Sequence, residues 1–333
     1  MTAPGGNWRE EIRRWIRTPG AHVHLMGVGG IGMAGVARLL AARGLAVTGC
    51  DGGAPRTLAW LRACGVPATT GHDPAHLDGV EWAIFSPALQ PGHSELAAAQ
   101  TRGLPLYRRG QVLPVLAEFW KTAAVAGTHG KTTTSAMIAH ALRACGVDAS
   151  WCIGGELPPD GAPAGIGTSD WLVIEADESD GTLAHYAPEI AVITNVEFDH
   201  MEHFASKEAL VECFRTFARQ ARAVVYCADD PEAARIGSTV GGSSYGFAPG
   251  AAYRAVGLAA SPAGTRFDVQ APGGRSASAF LPLPGRHNVL NALAALAACD
   301  RCGLALEAAA AALASFALPK RRFEPVAEAR GIR

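Results

Sequence analysis

No apolar run in this 333-residue sequence reaches the roughly 18 residues that a membrane-spanning helix needs. The first twenty residues, MTAPGGNWREEIRRWIRTPG, hold no continuous apolar core, which argues against a signal peptide. Trp8, Ile12, Trp15 and Ile16, interleaved with Glu10, Glu11, Arg13 and Arg14, instead predict a short amphipathic helix. The chain also lacks a charge excess: 29 Lys and Arg against 30 Asp and Glu leave a net charge of −1, with no basic footprint for nucleic acid. Its 8 cysteines are scattered. Only Cys299 and Cys302 form a CxxC, and no second pair completes a zinc set, so both read as helix residues. Free thiols fit a reducing, cytoplasmic compartment. No internal repeat is present.

What the chain does have is apolar content of 49% and 39 glycines, arranged as strands alternating with helices. HVHLMGV (22–28), LAVTGCD (45–51) and EWAIFSPAL (81–89) read as strands, each followed by a helical segment, to about Phe119. A second series starts with KTAAVAG (121–127) and continues through DWLVIEADESDG, EIAVITNVEFDH and ARAVVYCADD, strands that break into acidic residues. Residues 240–284 are turn-rich and alternating, which predicts a small antiparallel sheet. The fold class is therefore α/β: a Rossmann-like parallel-sheet unit at 1–119 and a P-loop-type α/β unit with a small antiparallel sheet at 120–318, with 319–333 expected as a hinge and the start of a further domain.

Each unit opens with a glycine loop between strand and helix. In the first, Gly27, Gly29 and Gly32 match G-x-G-x-x-G, and Asp51 ends the next strand. Backbone N–H groups at such a helix start meet a diphosphate, and the acid would accept from a ribose hydroxyl. The motif specifies a diphosphate, not a nicotinamide dinucleotide. In the second, AGTHGKTTTS supplies Gly130, Lys131 and Thr132 as the Gly-Lys-Thr of a P-loop, although the leading glycine is Gly127 and position 125 is Val. Lys131 would neutralise phosphate charge and Thr132 would bind Mg²⁺. Glu175 and the Asp199–His200 pair end two further strands at the same sheet edge, so they should converge on the loop. Glu175 suits Mg²⁺ as a hard oxygen ligand, whereas His200 taken alone reads as a polar loop residue. Asp177, Glu178 and Asp180 are open to two readings, ligands or solvated acids. In GRHNVLNA, Asn288 is either a helix N-cap or, with the amide of Asn291, a reader of an adenine edge.

GVGGIGM, AGTHGKTTTS, EADESDG, TNVEFDHME, GRHNVLNALAA and KRRFE occur in that order. With them the chain resembles the Mur ligases, ATP-dependent amide-bond-forming enzymes of peptidoglycan synthesis, and within them the alanine-adding branch. The resemblance covers essentially the whole chain and implies UDP-N-acetylmuramate on the first unit and ATP on the second. Gly27, Gly29, Gly30, Gly32, Asp51, Ser86, Arg108, Arg109 and His129 would then lie near the UDP-sugar. Gly127, Thr128, Gly130, Lys131, Thr132, Thr133, His287, Asn288, Asn291 and Arg322 would serve ATP. Thr132, Glu175 and His200 would hold Mg²⁺, with Lys131, Glu175 and His200 the catalytic set. The implied reaction runs through an acyl phosphate that L-alanine attacks.

Three departures from the family pattern stand out. Leu318 and Pro319 occupy hinge positions usually held by glycine and a small residue. Arg215 stands near where several relatives carry a carbamylated lysine, so no modified lysine is expected. The family's third domain, which holds the amino acid, would begin near residue 333. The sequence thus predicts a polypeptide without alanine-adding activity alone, either part of such a ligase or a non-catalytic UDP-sugar- and ATP-binding protein. An NAD-dependent oxidoreductase is the rival that the first loop by itself would allow.

Overall fold

Short apolar segments such as HVHLM and WLVIE, closed by a glycine or an acid, become parallel strands of buried sheet. The computed structural model describes residues 7–90, 92–157, 161–178, 181–198 and 204–319. In the first unit the strands are β1 (His22–Met26), β2 (Ala46–Asp51), β3 (Ala68–Thr70), β4 (Trp82–Phe85) and β5 (Leu106–Arg108). All are parallel, in the order β3-β2-β1-β4-β5. The order reverses between β1 and β4, and at such a switch point the strand ends leave a crevice for a ligand. The first glycine loop leaves β1 there. The helices are α1 (Trp8–Arg17), α2 (Ile31–Ala42), α3 (Pro55–Ala63), α4 (Ser94–Thr101) and α5 (Arg109–Ala117). The amphipathic α1 is present as its pattern predicts and buries Ile12 and Ile16.

The second unit has β6 (Lys121–Ala126), β7 (Ser150–Leu157), β8 (Ala162–Gly165), β9 (Trp171–Glu175), β10 (Ile190–Ile193), β11 (Ala223–Cys227), β12 (Ser243–Gly246), β13 (Tyr253–Ser261), β14 (Gly264–Ala271) and β15 (Arg275–Leu281). Its helices are α6 (Lys131–Ala144), α7 (Lys207–Gln220), α8 (Pro231–Thr239), α9 (Arg286–Arg301) and α10 (Leu306–Ala312). One mixed sheet runs β15-β14-β13-β12-β11-β10-β6-β9-β7-β8. The antiparallel strands expected in 240–284 are β13 to β15, joined to the parallel sheet through the parallel β12–β13 pair. Strands β6, β9 and β10 lie side by side and in parallel, so the P-loop, Glu175 and the residues after β10 leave the same sheet edge.

The two units share one hydrophobic core that runs from Val23 and Leu25 to Val125 and Ile174. Helix α2 packs on β7, so closely that a side-chain carbon at Gly35 would stand 2.4 Å from Cys152 Sγ. That contact brings both glycine loops to one side of the molecule. Helix α9 is capped at Gly285, not at Asn288. Asn288 sits in the first turn instead, where its amide reaches back to the Pro284 carbonyl at 2.7 Å. Arg215 lies on α7 beside Glu212.

Candidate active site

The second loop is held in shape by residues some 65 positions away. Asn195, just past β10, accepts from the His129 backbone N–H at 2.8 Å and donates to the His129 carbonyl at 3.0 Å. The Thr194 hydroxyl donates to the same carbonyl at 2.7 Å. Thr128 is tied to the backbone of Glu197, donating at 3.2 Å and accepting at 2.9 Å. At Gly127, with φ +136°, a Cβ would fall 2.0 Å from Thr194 Oγ1 and 2.8 Å from the Asn195 carbonyl, so only glycine passes.

Helix α6 then opens at Gly130 with no side-chain cap, leaving its first-turn N–H groups and the positive end of its dipole toward the cleft. The Lys131 ammonium donates to the Gly127 carbonyl at 2.6 Å and the Thr128 carbonyl at 3.3 Å, and pairs with Glu178 Oε1 at 3.0 Å. Burial pushes the Glu178 carboxyl up from its ordinary value while Lys131 pulls it down. The other oxygen, Oε2, is buried without a partner among the described residues. Thr132 Oγ1 donates to Glu175 Oε2 at 2.9 Å, and the Gly154 N–H donates to the same oxygen at 2.9 Å. An uncapped helix start, a lysine inside the loop and two adjacent hard oxygen donors fit a phosphate chain with a divalent cation such as Mg²⁺.

These groups line a cleft of about 360 Å³ together with Thr133, Thr194, Asn195, Tyr245, His287, Asn288, Asn291 and Leu318. The amides expected to read adenine are committed internally. Asn291 Oδ1 accepts from Thr134 Oγ1 at 3.3 Å, and Asn288 donates to Pro284. Of the unusual Leu318–Pro319 pair, Leu318 lines this cleft, and the buried Pro319 packs where a Cβ on Gly155 would touch it at 2.9 Å.

The first loop is built differently. The Cys50 carbonyl accepts from the N–H groups of Gly27 and Val28, both at 2.9 Å. Asp51 accepts from the Gly29 N–H at 2.9 Å and the Gly53 N–H at 2.8 Å. A Cβ at Gly29 would lie 2.6 Å from Asp51 Cγ. Asp51 therefore already braces the loop, and only its remaining lone pairs face outward. Gly30, Gly32, Ser86 and Arg109 line a second cleft of about 270 Å³, with Cys152, Gly154, Glu175 and Asp177 from the other unit. Arg109 stands 3.8 Å from Asp177. Arg108, expected beside it, is exposed and does not line this cleft. His129, expected to face the sugar, lines the P-loop cleft instead, with its ring 3.5 Å from Glu197, because the Asn195 clamp fixes its backbone there. Asp180, Asp199, His200 and Arg322 lie outside the described residues.

Glu175 lines both clefts. Its chemistry was legible in the sequence; its position between two loops a hundred residues apart was not. Thr194 and Asn195 were missed as loop-holding residues. Their sequence signal is a Thr-Asn at the end of an apolar strand, the start of the TNVEFDHME motif.

Two family descriptions match: the Mur ligase family catalytic domain over residues 22–121 and the Mur ligase middle domain over residues 125–299. The UDP-N-acetylmuramate–L-alanine ligase of Acidothermus cellulolyticus is 43% identical over 320 residues, covering 93% of this chain and 67% of that protein. Its counterpart from Salinispora arenicola is 42% identical over 311 residues, covering 91% and 61%. The chain thus spans about two thirds of the length of these curated relatives. The crystal structure of UDP-N-acetylmuramate-alanine ligase from Thermotoga maritima superposes with a TM-score of 0.81 at 31% identity, covering 91% of this chain and 70% of that one.

Proposed function

The chain belongs to the Mur ligase family, and from that premise we propose that it carries the two nucleotide-binding units of an ATP-dependent ligase that joins L-alanine to UDP-N-acetylmuramate in cytoplasmic peptidoglycan precursor synthesis. We place the boundary of the units at 119/120 and the hinge at 319. The observation that carries this reading is Glu175, one carboxylate walling both clefts. A reaction that brings a sugar-bound carboxylate to the γ-phosphate of ATP needs its two substrates to meet at one place.

Gly27, Gly29, Gly30, Gly32, Ser86 and Arg109 hold the UDP-sugar in this reading, with Asp51 as brace and Arg108 at the rim. Gly127, Thr128, Gly130, Lys131, Thr132 and Thr133 cradle the ATP phosphates, and His287, with Asn288 and Asn291 behind it, borders the nucleoside. Thr132 and Glu175 would supply oxygen ligands for Mg²⁺; the family resemblance adds His200 as a further metal ligand and Arg322 on the ATP side, both outside the described residues. When bound, Mg²⁺ offsets the negative charge of the phosphate chain.

The muramate carboxylate oxygen attacks the γ-phosphorus and ADP departs, leaving an acyl phosphate. The L-alanine amine attacks the acyl carbon, loses its proton, and phosphate leaves as the amide forms. No covalent link to the protein is needed. Lys131 moves from its carbonyl acceptors to the phosphate oxygens as charge shifts, and the bracing of Gly127, His129 and Gly29 keeps both anions in line.

Titrating the chain with UDP-N-acetylmuramate and with NAD(H) tests the reading. Stoichiometric UDP-sugar binding is expected. Tight NAD(H) binding without any for the UDP-sugar would overturn it in favour of an oxidoreductase.

A further inference from the structure

We propose that the first unit holds a tetrahedral Zn²⁺ between His24 Nε2, Cys50 Sγ, His76 Nδ1 and a carboxylate oxygen of Glu95. These atoms come from β1, β2, the 3-10 turn Pro74–Leu77 and the first turn of α4, and all lie within 4.8 Å of one another. His76 Nδ1 is 2.7 Å from Glu95 Oε1, Cys50 Sγ is 3.2 Å from the same oxygen, and His24 Nε2 is 3.3 Å from Cys50 Sγ and 3.9 Å from Glu95 Oε1. Donors around a tetrahedral zinc with bonds of about 2.0–2.3 Å stand about 3.5 Å apart, so small side-chain adjustments complete the shell.

His24, Cys50 and Glu95 are at most 1% exposed, among the most enclosed polar groups of the chain. A carboxylate so deep requires compensation. Thiolate plus carboxylate against one divalent cation, with two neutral imidazoles, leaves the cluster without net charge. One ring is also oriented from behind as zinc-bound histidines are: Thr48 Oγ1 lies 2.9 Å from His24 Nδ1, leaving Nε2 for the metal. His76 Nε2 meets Thr69 Oγ1 at 3.4 Å, while its Nδ1 faces the Asp73 N–H at 3.3 Å, a contact that zinc must displace.

The bland alternative is a carboxylate satisfied by hydrogen bonds. Glu95 does meet His76 Nδ1 at 2.7 Å, His72 Nδ1 at 2.8 Å, the Cys50 thiol at 2.9 Å and the Asp73 N–H at 3.1 Å. Beside this cluster stands His93, whose two ring nitrogens are buried without a partner among the described residues, its ring 4.2 Å from that of His72. His72 and His93 with Glu95 form a second, overlapping donor set, which is one imidazole-rich pocket serving a cation better than a lone carboxylate. His72 and His76 are partly exposed and give the ion a way in.

The ligand mix selects the metal. One soft thiolate, two imidazoles and one carboxylate suit zinc, whereas Mg²⁺ prefers oxygen alone. Zinc binding would displace the Cys50 thiol proton to solvent as the Zn–S bond forms. The site also meets the glycine loop, since the carbonyl of Cys50 itself holds Gly27 and Val28.

The test uses zinc and cobalt alone on the 333-residue chain. Protein purified without chelator should hold one zinc by elemental analysis. After chelation, Co²⁺ should give a thiolate charge-transfer band that Cys50→Ala abolishes. His76→Ala changes a partly exposed ring and should fold as judged by circular dichroism, yet bind zinc at least 10-fold more weakly. Thr48→Val should weaken binding by about 10–100-fold, as loss of a group behind a metal ligand does. Absence of saturable binding at one zinc per chain would overturn the proposal. So would binding that His76→Ala leaves unchanged, which decides the matter even if Cys50→Ala does not fold.

Discussion

The two glycine loops share a strand–loop–helix plan but distribute charge in opposite ways. In the first, α2 opens on bare backbone at Gly30, its acid Asp51 is tied into the loop itself, and the cation of its cleft, Arg109, arrives from another helix. In the second, Lys131 stands at the end of the loop, and two acids come from beside it, Glu175 at the end of the neighbouring strand β9 and Glu178 just after it. Backbone dipoles are enough to hold a diphosphate that stays intact. A phosphate that must leave its oxygen needs mobile charge beside it. The difference teaches that a repeated motif need not mean a repeated job: in the proposed reading one loop holds and the other reacts.

The contrast can be broken loop by loop. Gly127→Ala has the largest expected effect, since overpacking against Thr194 costs about 1–3 kcal/mol and the strained backbone costs about as much again. Chemical denaturation should show the loss, with MgATP binding abolished. Lys131→Ala removes a charged hydrogen-bond donor worth about 1.5–3 kcal/mol; calorimetry should find MgATP bound about 10–100-fold more weakly and the UDP-sugar bound as before. Gly29→Ala drives a methyl into Asp51 at a cost of about 1–3 kcal/mol. It should reverse that pattern, weakening the UDP-sugar and sparing MgATP.

Glu178→Gln sharpens the comparison with the smallest effect. The folded carboxyl titrates above its unfolded value, so between those two values the folded chain binds a proton that the unfolded chain does not. Stability contributed by Glu178 is greatest below that window and falls as pH rises through it. Urea midpoints measured across the acidic range should show a shallower fall for the variant than for the native chain.

Much of this arrangement was legible in the sequence because it is local. Strand, glycine loop and helix follow one another within a dozen residues at Leu25–Val36 and again at Ala124–Ser135, and the acid at Glu175 ends a visibly apolar strand. What was not legible depends on pairings across the chain. The clamp of Asn195 on His129 needs β10 beside β6, and it moved His129 to the other cleft. Asn288 reads as a cap until Gly285 is seen to turn the chain first. The cluster at Glu95 gathers residues from four elements spread over 71 positions, with no zinc-motif spacing to announce it.

The claim that the loops serve two different nucleotides at once is tested most directly by calorimetric titration of MgATP into the chain already saturated with UDP-N-acetylmuramate, and of the UDP-sugar into the chain saturated with MgATP. Each ligand should bind one equivalent in the presence of the other. Mutual displacement, with one equivalent bound in total, would contradict the account.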